Sequence, residues 1–287
     1  MTDWAAIGEA TRHDAAARVP FRIDGQAVGS VARSNLPALA AHPSLVWATE
    51  AGVDLLVPAP ERDDAFEHLN RWLREAGLIV AWRDEPYPVV ALPGLAVLAR
   101  FERAASRFWG TLTFGAHATG YVADGEGRPT ALWIAQRSLT KPTDPGMFDN
   151  LIGGGVPDGQ TPLQTLVREG WEEAGLLPPQ LEAAEPGRVI RLLRDIPEGL
   201  QHEWLHAYDL ALPEGTAPAN QDSEVAGFRL LPVPDALALA ASVAMTVDAA
   251  LVTLDFALRH GLLPPAQRAE LAAAAAPLWV DQHPAHP

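Results

Sequence analysis

The sequence contains no cysteine among its 287 residues. This absence excludes disulfide bonds, thiolate metal sites, iron–sulfur clusters and every mechanism with a cysteine nucleophile. Lysine and arginine are scarce, with 21 against 36 aspartate and glutamate residues, and the formal net charge is −15. Because this charge repels phosphate backbones and anionic lipid surfaces, we expect neither a nucleic-acid partner nor a membrane partner. An anionic substrate would therefore need local cations around it.

Long uninterrupted apolar runs are missing as well. The most apolar stretch, residues 233–258, is interrupted by Asp235, Asp248 and Asp255, so it is interpreted as buried helices and not as a membrane span. The N-terminal residues lack a basic segment followed by an apolar core, so no signal peptide is predicted. We therefore expect a cytoplasmic protein. Its 48% hydrophobic and 20% charged residues are typical of a globular chain.

Residues 1–105 are predicted to form a small α+β accessory domain. Asp24 and Gly25 separate two alternating apolar segments and predict a β-hairpin. Apolar residues at helical spacing predict an amphipathic helix over residues 63–77, and a second, short helix is predicted over residues 95–108. No cluster of catalytic side chains is recognisable in this part of the chain. Its residues are interpreted as a scaffold or a specificity lid.

Residues 106–262 are predicted to form a second domain, followed by a C-terminal helix and tail over residues 263–287. Strand-like alternation and helical periodicity both occur in this second domain. They predict strands over residues 109–122, 131–137, 188–193 and 203–212, and helices over residues 235–241 and 246–259.

One further helix of this domain has unusually clear ends. Thr161 is a predicted N-cap, Pro162 occupies the first helical position and Gln164 completes a capping box. Gly175 is the residue type that commonly ends a helix. The sequence therefore predicts a helix that begins after Thr161 and ends before Gly175.

Three glutamates lie close together on this predicted helix. Glu169, Glu172 and Glu173 share one face, apart from the apolar face. Carboxylates this close repel one another unless they are well solvated or a cation lies among them. Hard oxygen ligands at this density suit Mg²⁺ or Mn²⁺, and the glycine-rich segment before the helix lets backbone groups approach the same ion. A solvated acidic helix face is the alternative, and for these three acids alone it is the more common explanation.

The longer run from Gly154 to Leu176 resembles the Nudix box, G-x5-E-x7-R-E-U-x-E-E-x-G-U, in which U is a bulky apolar residue. The matching residues are Gly154, Arg168, Glu169, Glu172, Glu173, Gly175 and Leu176. Two positions depart from the pattern, since Gln160 replaces a glutamate and Gly170 replaces an apolar residue. The first departure removes a carboxylate from the metal neighbourhood, and the second removes side-chain burial and helix propensity.

The resemblance implies an α+β fold, with a Nudix α/β/α sandwich and a mixed sheet after the accessory domain. It also implies metal-dependent hydrolysis of a diphosphate joined to an organic group. Gly154, Glu169, Glu172 and Glu173 would bind Mg²⁺ or Mn²⁺. Glu169, Glu173 and Arg168 would be the catalytic residues, with Arg168 orienting a neighbouring glutamate. The metal would lower the pKa of bound water, and a carboxylate would remove the proton.

Six further residues are candidates for substrate binding: Arg137, Lys141, Asp149, Asn150, Glu203 and Glu224. The two bases precede the box and would provide the cations that a diphosphate needs, unless they are surface bases of a loop. The adjacent aspartate and asparagine either contact the organic group or cap a turn. Each of the two glutamates would supply a ligand or the base, or be a solvated acid near a strand end.

Segments outside the box are similar to one branch of the Nudix superfamily. They comprise residues 100–105, 115–117, 137–151 and 255–261. This branch has an extra N-terminal domain, also occurs fused to thiamin pyrophosphokinase in fungi, and is linked to hydrolysis of thiamin diphosphate and its oxidised analogues to monophosphates. The resemblance thus implies a small-molecule diphosphate substrate, and a homodimer is compatible with it.

Two alternatives stay open at this stage. In the first, the substrate is a nucleoside-diphosphate-linked compound. In the second, the chain is a non-catalytic sensor that binds diphosphates, an interpretation based on Gln160 in place of a glutamate. Isopentenyl-diphosphate isomerases share a Nudix-like fold, but their protonation chemistry uses a cysteine. The lack of cysteine therefore excludes that reaction.

Overall fold

The computed structural model describes residues 4–280. Within this range the strands are β1 (Arg18–Ile23), β2 (Gln26–Ala32), β3 (Val46–Thr49), β4 (Gly52–Leu55), β5 (Pro86–Ala91), β6 (Ala96–Glu102), β7 (Leu112–Ala123), β8 (Pro129–Arg137), β9 (Phe148–Asp149), β10 (Ile152–Gly155), β11 (Glu185–Ile196), β12 (Gly199–Ala211) and β13 (Val225–Pro232). The α-helices are α1 (Ala5–Glu9), α2 (Leu36–Ala40), α3 (Arg62–Glu75), α4 (Ala105–Trp109), α5 (Pro162–Ala174), α6 (Pro178–Leu181), α7 (Val233–Ala240), α8 (Val247–Arg259) and α9 (Pro265–Ala275).

The N-terminal domain is built on a four-stranded sheet in the order β2-β1-β4-β3. The predicted hairpin is confirmed: β1 pairs with β2, and Asp24 and Gly25 both have positive φ angles. The predicted amphipathic helix is confirmed as α3, whose Phe66 packs in one core with Phe21 and Trp109. The same core contains Phe108, so α4 packs with the N-terminal domain.

The predicted helix over residues 95–108 is wrong for most of its length. Residues 96–102 form β6, which pairs antiparallel with β5, and only the short α4 is helical. A short apolar run is compatible with either structure when periodicity alone is considered. The hydrogen bonds of a partner strand decided the outcome here, and the resulting β5–β6 hairpin becomes important at the functional site.

The second domain contains a seven-stranded mixed sheet. Its main path is β11-β12-β7-β8-β13, with β10 added beside β7 and β9 beside β8. β12 and β7 run parallel, whereas the other neighbours are antiparallel. Helix α5 packs on one face, and α7 and α8 pack on the other. The predicted α/β/α sandwich with a mixed sheet is thus confirmed, as are the predicted strands and helices of this domain.

Strand β7 divides its residues between the two faces. Phe114 and Ala116 join the apolar core beneath α5. Because side chains alternate along a strand, Thr113, Gly115 and His117 face the opposite side. That side opens into a cleft between the two domains, so the central strand brings polar residues to its floor.

The first described residues pack on the second domain and not on the first. The Trp4 indole N–H donates to the Ala250 carbonyl at 3.2 Å, and the Leu193 amide donates to the Ala10 carbonyl at 2.8 Å. At the other end, the expected C-terminal helix is α9, and residues 281–287 of the predicted tail lie outside the described residues. No helix within residues 4–280 has the length and apolar character needed to cross a membrane.

Candidate active site

Helix α5 begins and ends as its sequence predicts. The Gln164 amide donates to Thr161 Oγ1 at 3.2 Å, and the Thr161 amide donates to Gln164 Oε1 at 2.9 Å. Gly175 ends the helix with a φ of 65°, a conformation that glycine adopts without a steric penalty. The caps therefore fix the position from which the three glutamates project.

Gly170, one of the departures from the box pattern, is explained by close helix packing. A Cβ at this position would overlap the side chain of Leu181 and lie 3.0 Å from Ile152 Cδ1. Leu181 is fully buried in α6. The apolar group missing from residue 170 is thus supplied by a neighbouring helix.

The glycine run of β10 admits three side chains from three different elements. A Cβ on any of these glycines would collide with its neighbour: the ring of His117 at Gly153, the carboxyl group of Glu169 at Gly154 and the hydroxyl of Tyr87 at Gly155. Tyr87 belongs to β5 of the N-terminal domain, Glu169 to α5 and His117 to β7. The three elements therefore meet at this strand because its residues 153–155 have no side chains.

Glu169 and Glu172 line the cleft and share one cation. Arg168 Nη2 lies 2.8 Å from Glu169 Oε1, and its Nη1 lies 3.1 Å from Glu172 Oε2. Burial raises the pKa of the Glu169 carboxyl, while the charge of Arg168 acts in the opposite direction. Arg168 thus neutralises and orients both acids.

Glu173 occupies a more enclosed position and does not line the main cleft. Its Oε2 accepts a hydrogen bond from the Gly153 amide at 2.9 Å, and its Oε1 lies 3.7 Å from Lys141 Nζ. Burial, with the nearby charge of Glu169, raises the pKa of Glu173 to about 8. An additional cation at this position would favour the ionised carboxylate.

The oxygen donors fit a hard divalent cation by their chemistry. Among residues 4–280, no three acidic or histidine side chains already converge as metal ligands. However, the Glu169 carboxyl group lies directly against Gly154, and Glu172 is less than one helical turn further along α5. Carboxylate and carbonyl oxygens are the ligands that Mg²⁺ and Mn²⁺ prefer. The donor set is therefore suitable, although its carboxylates are oriented towards Arg168.

Gln160, the second departure from the box pattern, is half-buried and hydrogen-bonded. Its Oε1 accepts from Thr165 Oγ1 at 3.0 Å and from Arg168 Nε at 3.4 Å. The amide oxygen thus supports the helix start and helps to position the arginine that holds Glu169 and Glu172.

Arg137 and Lys141 both line the cleft, and both are paired with acids. Arg137 Nη1 donates to Asp149 Oδ2 at 2.8 Å. Lys141 forms an ion pair with Glu224, to which Arg83 also donates at 2.9 Å. Burial alone would raise the pKa of Glu224, but hydrogen bonds from these two cations lower it to about 2. Glu224 is therefore firmly ionised.

Asp149 and Asn150 lie at different depths. Asp149 lines the cleft beside Arg137. Asn150 is 2% exposed and does not line the cleft; its Oδ1 lies 3.2 Å from His117 Nδ1, and its Nδ2 donates to Thr253 Oγ1. The asparagine side chain therefore contacts the cleft-lining His117, and its backbone amide donates to Asp149 at 2.9 Å. The sequence places His117 in a strand and not among the ligands.

The sequence predicts Glu203 at the start of a strand. It lies instead inside β12, which begins at Gly199. It faces the cleft floor, where its Oε2 accepts from Gln201 Nε2 at 2.9 Å and lies 3.5 Å from Arg107 Nη2. The same Gln201 nitrogen donates to Asp248 at 3.1 Å. Neither Asp248 nor Gln201 belongs to a recognisable motif, so only the fold associates them with the site.

The cleft has a volume of about 870 Å³ and is bordered by both domains. Five charged or hydroxyl side chains of the β5–β6–α4 region contribute to it: Glu85, Tyr87, Arg103, Ser106 and Arg107. The similarity of residues 100–105 to the Nudix branch was the one signal in the sequence, but it did not indicate a chemical role for these residues. The sequence therefore missed the contribution of the first domain.

Two family models together match most of the chain. Residues 113–251 match the family model of the NUDIX domain, and residues 4–113 match that of DUF4743, a domain of unknown function. The crystal structure of DR0079 from Deinococcus radiodurans is 23% identical, with a TM-score of 0.45; the match covers 60% of this chain and 99% of that one.

Two curated relatives come from Arabidopsis thaliana: Nudix hydrolase 24, chloroplastic, and Nudix hydrolase 20, chloroplastic. Each is 33% identical, over 254 and 261 residues respectively, and each match covers 86% of this chain and 69% of the relative. The similarity to a branch with a kinase fusion, the homodimer and the cytoplasmic location stay predictions. Identity and coverage together show that the chain belongs to the Nudix hydrolases.

Proposed function

We propose that this Nudix hydrolase is a Mg²⁺- or Mn²⁺-dependent pyrophosphohydrolase that converts thiamin diphosphate, or its oxidised analogues, to the monophosphate. The observation that carries the proposal is the meeting of the α5 glutamates with the glycine strand β10 at one cleft. A cleft of about 870 Å³ has room for an organic group beside a diphosphate. The similarity of the segments outside the box to the thiamin-linked branch supports this choice of organic group.

The helix acids are the proposed metal-binding residues. Glu169, Glu172, Glu173 and the Gly154 carbonyl would hold the ion, and Arg168 would keep the first two acids in place. When bound, a divalent cation neutralises diphosphate charge and lowers the pKa of bound water. Glu173 would also tie the site to the glycine strand, since it accepts a hydrogen bond from Gly153.

Glu203 is the proposed general base. It faces the cleft from β12, and its Oε1 lies close to Gly115, the residue paired with Gly155 of the glycine strand. Glu224 is a poorer candidate, because two cations lower its pKa to about 2 and a weakly basic carboxylate removes protons inefficiently. We therefore expect Glu203 to accept the proton of the attacking water.

The cations Arg137 and Lys141 are the proposed phosphate contacts of the second domain. Each pairs with an acid that also lines the cleft, so a bound diphosphate would compete with Asp149 and Glu224 for them. Asp149 would then be free to contact the organic group. Asn150 would act indirectly, by fixing the ring of His117.

The test is hydrolysis by the purified protein of thiamin diphosphate, oxythiamin diphosphate, ADP-ribose and a nucleoside diphosphate sugar, with Mg²⁺, with Mn²⁺ and with chelator. We expect metal-dependent monophosphate formation, with the highest kcat/KM for a thiamin-type compound. Hydrolysis in H₂¹⁸O identifies the attacked phosphorus from the product that carries the label. The Glu203→Gln variant should lose most of kcat with little change in KM.

Two results would contradict this assignment in different ways. Turnover confined to the nucleotide substrates would replace thiamin by a nucleoside-diphosphate-linked group. Tight binding of the diphosphates without turnover, under every metal condition, would show a sensor. A Glu203→Gln variant with unchanged kcat would leave the pyrophosphohydrolase in place and remove Glu203 as its base.

A further inference from the structure

The two domains contribute opposite charge to the cleft. Among the described lining residues, the second domain provides nine carboxylates and four bases, a formal charge of −5. The N-terminal domain, which includes α4 because Phe108 and Trp109 belong to its apolar core, provides Arg83, Arg103 and Arg107 against Glu85, a formal charge of +2. Because a diphosphate is an anion in a protein of net charge −15, the net charge of this positive wall favours its binding, whereas that of the second domain's lining opposes it.

Arg103 presents a guanidinium edge to the glycine strand. Its Nη1 donates to Glu85 Oε2 at 2.9 Å, which anchors one side of the group. Its Nη2 forms no hydrogen bond with any of residues 4–280. This nitrogen would lie 3.1 Å from a Cβ at Gly155. The side chain is 36% exposed and lines the cleft. A free guanidinium edge in this position is suited to a phosphate oxygen.

The β5–β6 hairpin that carries these groups is fixed to the Nudix box. Tyr87 is 2% exposed, and its hydroxyl, which lies against Gly155, has no hydrogen-bond partner among residues 4–280. The Asp158 amide donates to the Pro86 carbonyl at 2.9 Å, and Arg100 Nε donates to Asp158 at 2.7 Å. These hydrogen bonds join the hairpin to the segment that follows the glycine strand.

Arg107 extends the positive wall along the cleft floor. Its Nη2 lies 3.5 Å from Glu203 Oε2, at the outer limit of a hydrogen bond. Its Nη1 is enclosed and has no hydrogen-bond partner in the described part of the chain. One guanidinium donor is thus weakly engaged and another is unsatisfied beside the proposed base, which leaves Arg107 able to donate to a ligand.

We propose that the N-terminal domain forms the phosphate-binding wall of this active site, with Arg103 and Arg107 donating to non-bridging oxygens of the diphosphate. This inference rests on the diphosphate chemistry of the proposed function and not on thiamin as the organic group. The N-terminal domain is then part of the catalytic unit, because the second domain alone presents a net negative cleft to an anionic substrate.

The experiment measures the full-length protein, with steady-state kinetics on its best diphosphate substrate and calorimetric binding of methylenediphosphonate, a diphosphate that resists hydrolysis. Arg103→Gln and Arg107→Gln should each raise KM, and weaken methylenediphosphonate binding, by roughly 10- to 100-fold, the usual range for a charge-assisted hydrogen bond. The change in kcat should be smaller. Arg71→Gln is the matched control, since Arg71 is an exposed arginine of α3 paired only with Glu67.

Glu85→Gln separates phosphate binding from a purely structural Arg103–Glu85 pair. If the pair only stabilises the hairpin, Glu85→Gln and Arg103→Gln will change KM and the melting temperature in the same direction. If Arg103 binds phosphate, Glu85→Gln will leave KM unchanged or lower it, because Arg103 loses a competing anion. Equal KM values for the wild type, Arg103→Gln and Arg107→Gln would overturn the proposal while hydrolysis itself stays established. Arginine-dependent binding of methylenediphosphonate without thiamin diphosphate turnover would support it and contradict the proposed substrate.

Discussion

The second domain contributes the acidic wall of the cleft, and the N-terminal domain contributes the positive wall, here called the basic wall. The two walls differ in how the sequence encodes them. Two carboxylates of the acidic wall, Glu169 and Glu172, come from helix α5, where caps and helical periodicity fix their spacing, whereas the other seven come from strands, loops and α8. The basic wall comes from a hairpin and a short helix of another domain, and its arginines have no common spacing. Under the two proposals above, the metal chemistry belongs to the second domain, and the N-terminal domain adds phosphate contacts to those of Arg137 and Lys141. Variants of each wall should therefore change different kinetic constants.

The largest effect is expected from Glu173→Gln on the acidic side. We expect kcat to fall by roughly two or more orders of magnitude, because a carboxylate that would serve the metal is lost at nearly constant shape. The amide oxygen of the substituted side chain can still accept the hydrogen bond from Gly153, so the fold should survive. The measurement is kcat together with the melting temperature, with Glu270→Gln on the exposed face of α9 as the control. Activity within a few-fold of the wild type would remove Glu173 from the site.

The second effect concerns Gly155, where the two walls meet. Gly155→Ala should destabilise the protein by about 1–3 kcal/mol, the usual cost of overpacking, because the new Cβ overlaps the Tyr87 hydroxyl. The free energy of unfolding measures this cost. Gly159→Ala is not a suitable control because of its positive φ, whereas Gly125→Ala has open space around it.

Tyr87→Phe tests whether that collision is the cause. The substitution removes only the hydroxyl, which is buried without a partner, so by itself it should leave stability unchanged or raise it. Combined with Gly155→Ala, it should recover part of the lost stability, and the double-mutant cycle should show a coupling. Strict additivity of the two changes would mean that the domains do not meet at Gly155 as described.

The same contrast explains how much of the molecule the sequence predicts. Helix α5, its caps and the hairpin at Asp24 and Gly25 depend on neighbouring residues, so local rules were sufficient. The strand β6 depends on a partner strand, and the apolar residues of the segment over 95–108 gave no sign of it. Local interactions are therefore legible in one sequence, whereas pairings between distant segments are not.

The active site divides in the same way. Glu169 and Glu172 line the cleft, and Glu173 lies behind it, because a helix fixes their relative positions. Arg103, by contrast, reaches the site only after two domains have packed together. The sequence does not predict a role for Arg103, because a single charged residue between two elements belongs to no periodic pattern.

A smaller effect is expected when Mg²⁺ is added to the folded protein. The ion would bind only the assembled acids, so its binding should stabilise the folded protein and raise the melting temperature. At a Mg²⁺ concentration of 100 times Kd, the gain in the free energy of unfolding is about 2.7 kcal/mol. Calorimetric scans with Mg²⁺ and with chelator measure the shift. Glu169→Gln should reduce it, whereas Arg107→Gln on the basic wall should not. An absent shift at millimolar Mg²⁺ would favour a solvated acidic face.

The smallest effect is expected from Gln160→Glu, which restores the glutamate of the box pattern. The new side chain can keep both hydrogen bonds that Gln160 accepts, from Thr165 and Arg168, so the fold should not change. It adds a negative charge beside the arginine that holds Glu169 and Glu172, which should favour a divalent cation.

We expect the native enzyme to be active and the half-saturating Mg²⁺ concentration to fall only a few-fold in this variant, since one charge pair near the surface contributes about 0.2–1 kcal/mol. The measurement is a Mg²⁺ titration of turnover for both proteins on the best diphosphate substrate. Equal half-saturation would place residue 160 outside the influence of the metal. Activity that arises only in Gln160→Glu would mean that the native acidic wall binds diphosphates without hydrolysing them, and that Gln160 is the residue that prevents catalysis.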